Sequence, residues 1–303
     1  MSANETEGVL LARLQRARLK KEQGDARAAI VLYRQIVQER PDYRPACIEL
    51  ARLLIETNKH EEAGELLRRY LKREPSDSEA NFLMGVVLYV LGDFEGALRH
   101  YEACRRVEGM DISLAVNMAL CYEALGDYQK TAQFLRVAVD QKTSNPRVWE
   151  ALIDTYHHLR RHSDEARVAE AALKIFPHNQ RLLYLSARAH VQRGNHTAAV
   201  ARLTKLLSLS PENTHAIRLL AHCLIELQHY DDALAHLKDL VSIEPYDAEN
   251  WLNLVQMHLA LGAREAAVKT LKLALDKYLP EEPTLKAMLE GLTERGEGGD
   301  GSS

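Results

Sequence analysis

Nine prolines and fifteen glycines in 303 residues leave long stretches without a helix breaker, and aromatic residues make up only 6% of the chain. Strand formers are scarce between turn signals, whereas Leu, Ala, Arg, Glu and Lys dominate, a bias that favours helix. The four cysteines, Cys47, Cys104, Cys121 and Cys223, form no CxxC pair. That excludes the common zinc and dithiol redox motifs and leaves thiols acting as small buried hydrophobes. No run of 18 apolar residues occurs, so no membrane-spanning helix or direct membrane insertion is expected. The opening MSANETEGVLLARLQ lacks a basic n-region, so no secretory leader is expected and a reducing cytoplasm is the expected compartment. A net charge of −4 and a pI near 6.4 argue against nucleic acid as a partner. GxSxG, HExxH and GxxxxGK[ST] are all missing, so no enzyme and no cofactor is expected.

What the chain does have is a beat. In LYVLGDFEGALRHYEA (88–103), Ala97 has counterparts at Ala29, Ala63, Ala132, Ala166, Ala199, Ala233 and Ala267. Most of the gaps are 34 residues, with a 35 before Ala132 and a 33 after Ala166. Pro41, Pro75, Pro177, Pro211 and Pro245 keep the same interval, and the LGD of 91–93 returns as QGD, LGD, RGN and LGA. A first helix with apolar residues at i, i+3, i+4 and i+7 reads from NFLMGVVLYVL. Gly92 ends it in left-handed geometry, and Asp93 is a candidate N-cap for the next helix. Ala97 marks a close approach between helices, and Pro or a polar pair closes the unit. Neither helix buries its apolar face alone, so the units must stack.

A 34-residue helix–turn–helix unit of this kind resembles the tetratricopeptide repeat, over nearly the whole chain. Trp149 and Trp251 fall at its position 4; Ala17, Ala51, Gly85, Ala119, Ala187 and Ala221 at position 8; Tyr122 and Tyr156 at 11; Tyr33 and Tyr101 at 24. Eight units start near residues 10, 44, 78, 112, 146, 180, 214 and 248. The expected fold is an all-α, right-handed superhelical solenoid over 10–280. It follows an N-terminal extension at 1–9 and precedes a capping helix at 281–294 and a disordered tail at 295–303. Unit five, with LRRHSDEA and no Gly, is expected to carry an extra residue and a distorted turn.

The resemblance implies that positions 2, 5, 9 and 12 of each first helix line a concave groove that takes a peptide or helical segment of a protein partner. Steps of 3, 4 and 3 keep these positions on one helical face. Units three and four supply Phe82, Val86, Tyr89, Val116 and Leu120, with Asn117 beside them. Later units supply Arg147, Arg181, Tyr184, Arg188, Arg218 and His222. The partner implied has an apolar segment and then an acidic one. Asn117 and Arg147 resemble part of a carboxylate clamp for chaperone tails, but Phe82, Val86 and Ala151 break its pattern, so that ligand is not expected. A self-assembling scaffold and a chaperone for a secreted or membrane-associated client are the alternatives.

Thirteen histidines are many, and eleven fall between 157 and 258. His215, His222, His229 and His236 recur every seven residues across a turn, which does not place them on one face. His157, His158 and His162 lie at a helix end and the unusual turn. All are expected to be structural or solvated, with no metal.

Overall fold

The computed structural model describes residues 3–297, with side chains over 7–293. Among the described residues there are seventeen α-helices and no strand. The boundary between two compact units falls between Val148 and Trp149. The first unit holds α1 (Ala3–Glu22), α2 (Ala26–Glu39), α3 (Arg44–Glu56), α4 (His60–Leu71), α5 (Ser78–Val90), α6 (Phe94–Glu108), α7 (Ile112–Ala124) and α8 (Tyr128–Asp140). The boundary lies within α9 (Pro146–His158). The second unit continues with α10 (His162–Ile175), α11 (Gln180–Gln192), α12 (His196–Leu209), α13 (Thr214–Glu226), α14 (Tyr230–Ile243), α15 (Ala248–Ala260), α16 (Arg264–Lys277) and α17 (Pro283–Glu297).

From α2 to α16 the second helices of the hairpins start at intervals of 34 residues, without exception. Each turn rests on one residue of positive φ two positions after the first helix ends: Gly24, Asn58, Gly92, Gly126, Arg160, Gly194, Gln228 and Gly262. Gly92 adopts φ 85° at no steric cost, whereas Arg160 reaches φ 55° with a side chain in place. The extra residue expected in the turn of unit five is therefore absent. Its turn has the same length as the others, and Arg160 stands where Gly would.

The irregular alanine gaps have a different cause. Counting five residues from each turn residue gives Ala29, Ala63, Ala97, Thr131, Glu165, Ala199, Ala233 and Ala267, all buried. In units four and five the neighbouring Ala132 and Ala166 merely sit one place later, and they too are buried. The tight contact that demands a small residue is visible at Gly85, where a Cβ would overlap the ring of Tyr101 on α6. Asp93 caps α6 as expected, its carboxylate accepting from Gly96 N at 2.8 Å. Asp25, Asp127 and Asn195 do the same for α2, α8 and α12.

In the first unit each hairpin packs on the next, α2 on α3, α4 on α5 and α6 on α7, over a core that includes Leu54, Leu67, Tyr70 and Val87. Trp251, Leu254, Val255, Leu271 and Leu285 build the far end of the second, where α17 lies on α16. α1 begins inside the expected 1–9 extension, and α17 takes in 295–297 of the expected tail. The rest of that tail, 298–303, lies outside the described residues. All four cysteines are buried, and burial pushes each thiol up to about 11.

Candidate functional site

The first helices carry the side chains singled out in the sequence, and their surroundings differ between the two units. In the first unit, Phe82 and Tyr89 project from α5 and are half-buried. Phe82 rests on Tyr101 with ring centres 5.7 Å apart, and Tyr89 rests on Phe94 at 5.5 Å. Val86 on α5 and Val116 on α7 are half-buried, while Leu120 is 36% exposed. Steps of four along α5 and α7 put Val86 and Leu120 on the faces that Phe82 and Val116 share. The strip is apolar and partly exposed. Below it, Phe82 joins Arg52, Glu79 and Ser113 around a depression of about 450 Å³.

Asn117 is committed to the fold. Its amide Nδ2 donates to the Ser113 carbonyl at 2.9 Å, and its Oδ1 accepts from the Tyr101 hydroxyl at 3.5 Å. Arg147 is exposed at the start of α9.

In the second unit the basic residues have acidic partners close by. Arg188, on α11, donates to Asp154 Oδ1 and to Glu165 Oε1, each at 2.9 Å. Arg218, on α13, reaches Asp247 at 3.1 Å and Glu244 at 3.3 Å, with Asn250 Oδ1 at 2.9 Å. Arg181 has one longer contact, 3.3 Å to Asp154, and stays 55% exposed. Arg181 and Tyr184 border a depression of about 430 Å³ together with Asn213 and His215. Arg218 and His222 border another of about 390 Å³, floored by Ile225 and Met257. The even balance of charge makes this wall a set of internal pairs more than a basic strip.

Two features escaped the sequence reading. Glu165 is fully buried at the hairpin position that Ala occupies in six of the eight units, with His157 and His162 beside it. Counting from the turn residues instead of from the alanines would have exposed it. The second is Glu170 on α10, which accepts from Ser186 at 2.7 Å, His190 at 3.2 Å and Arg202 at 2.5 Å. Burial raises the Glu170 carboxyl, but the hydrogen bonds from Arg202, Ser186 and His190 outweigh it and bring the group down to about 2. No helix among the described residues is long and apolar enough to cross a membrane.

Profiles described as tetratricopeptide repeat match residues 21–85, 82–146, 191–241 and 226–290. No curated protein matches the sequence. Among solved structures, the C-terminal part of a TPR repeat-containing protein from Cytophaga hutchinsonii superposes with a TM-score of 0.68 at 15% identity, over 78% of this chain and 97% of that one. The structure of Naa15/Naa10 bound to HypK-THB gives 0.60 at 16% identity, over 93% of this chain but 44% of that one. YrrB, described as a TPR protein with an unusual peptide-binding site, gives 0.54 at 17% identity, over 61% of this chain and 96% of that one. At such identities the likeness is one of fold.

Proposed function

We propose, for a chain that belongs to the tetratricopeptide repeat family, that it is a protein-interaction scaffold whose α5–α7 wall receives apolar side chains of a partner segment. The observation that carries this reading is Leu120, an aliphatic side chain 36% exposed beside half-buried Val86, Val116 and Tyr89. A single exposed leucine is ordinary, but partly exposed apolar residues repeated on the first helices α5 and α7 offer an anchor site. An extended or helical segment would place alternate or i/i+4 side chains on it. The similarity to a repeat protein with a peptide-binding site, and to one solved with partner chains, supports the class of activity. No catalytic step enters this reading.

The acidic half of the expected partner narrows. Arg188 and Arg218 are paired with Asp154, Glu165, Glu244 and Asp247, so in the second unit an acidic group would be read by Arg181. Displayed random peptides selected on the full chain test the proposal. Enrichment of peptides with two or more large apolar residues, and loss of their binding in a Leu120→Glu variant of unchanged helicity, supports it. Selection of purely acidic peptides, or equal binding by the variant, overturns it. Self-assembly is the second reading, because α1 exposes Leu11 at 48% and Leu19 at 51%. Light scattering over a concentration series separates them: a mass that stays monomeric removes the second copy as occupant.

A further inference from the structure

At the closest approach of the two helices, six of the eight hairpins place Ala and unit five places Glu165, whose side chain is fully buried. A carboxylate there costs free energy unless its oxygens are satisfied. Both oxygens have partners, and His157 Nδ1 lies 3.3 Å from each of them. Oε1 accepts from Arg188, from Nη2 at 2.9 Å and Nε at 3.2 Å. Oε2 lies 3.2 Å from His162 Nδ1 and 3.3 Å from His157 Nδ1.

We propose that His157, His162 and Glu165 form a binding site for a divalent transition-metal ion of the zinc class. The three ligand atoms lie within 4.8 Å of one another. A tetrahedral ion with bonds of about 2.0–2.1 Å sets neighbouring ligand atoms roughly 3.3 Å apart. Two of the three edges already have that length. The third closes by turning an imidazole, since the His157 and His162 side chains are 34% and 28% exposed. Two imidazoles and one carboxylate select zinc, cobalt or nickel over calcium or magnesium, which prefer all-oxygen sites.

The surroundings fit the role. Arg188 holds Oε1, an outer contact that orients the carboxylate, and Oε2 faces both imidazoles. The guanidinium is itself balanced by Asp154 at 2.9 Å, so the ion would not face an uncompensated cation. The local geometry follows from the turn: His157 is the penultimate residue of α9, His162 opens α10 and Glu165 follows at i+3 on its first turn. The exposed side of the two rings leaves a fourth position for water or for a partner's side chain.

Without metal the same atoms make two shared hydrogen bonds, so the test must tell a ligand set from a polar cluster. The full chain, stripped with chelator, is titrated with zinc by calorimetry and with cobalt(II) in the visible. One saturable equivalent is expected. Its affinity should fall roughly tenfold or more in His157→Ala/His162→Ala, a loss at or above that of outer-shell changes. His196→Ala/His222→Ala, which removes a different pair with ring centres 6.1 Å apart, should leave it unchanged. X-ray absorption on the wild-type zinc form needs no variant and should show two imidazoles with oxygen ligands. Absence of saturable binding, unchanged affinity in the His157/His162 variant, loss in the His196/His222 variant, or a sulfur shell would each overturn the site.

Discussion

The wall of α5 and α7 and the wall of α11 and α13 are built on the same repeat, yet they treat water in opposite ways. The first leaves Leu120 and its apolar neighbours unsatisfied at the surface. The second spends its arginines on its own carboxylates. The repeat fixes where a side chain points and leaves its chemistry free, so one architecture supplies an apolar, partly exposed surface and a surface already paired. Stability and binding should therefore separate between the two, and each substitution below tests that separation.

The largest effect on folding is expected from Arg188→Ala. Removing the guanidinium leaves the fully buried Glu165 with only His157 and His162, and losing the charged partner of a buried pair costs about 3 kcal/mol. Urea unfolding measures it, while the folded fraction should keep its affinity for an apolar peptide. Glu170→Gln comes next, at about 1 kcal/mol near neutral pH, because the group is partly solvated and its ion pair is screened. The sign follows from its depressed carboxyl: stability from Glu170 is fully present above the unfolded value near 4.3 and is lost as pH falls toward about 2. Wild type and Glu170→Gln should thus converge in melting temperature on acidification over that window, and an advantage that persists at pH 2 would contradict it. Asp93→Ala should also cost about 1 kcal/mol, the usual worth of an N-cap, in either wall's terms a neutral control. Smallest is Leu120→Glu, within about 0.5 kcal/mol in urea, because the side chain is already in contact with water. A larger loss would show that Leu120 belongs to the core and would erase the contrast.

Much of this was legible in the residues because the repeat enforces it. Turn glycines, Asp93 as a cap, and the alanines at close approach are the cheapest physical solutions at their positions, so most of them recur at 34. The first-helix positions could be placed for the same reason. What could not be read was which arginines would be occupied. Arg188 meets Glu165 from 23 residues away, and only stacking brings them together. The misplaced turn of unit five has a similar origin. Ala166, buried directly after Glu165, imitates the repeat, and a buried carboxylate looks implausible until its partners are known.

The measurement that bears most directly on the scaffold reading is photo-crosslinking of a selected apolar peptide to the full chain, with the attachment sites found by mass spectrometry. The account predicts attachment within α5 and α7, around Val86, Val116 and Leu120, and its loss in Val86→Glu/Leu120→Glu. Attachment on α6 and α8, or on the paired wall of α11 and α13, would contradict it.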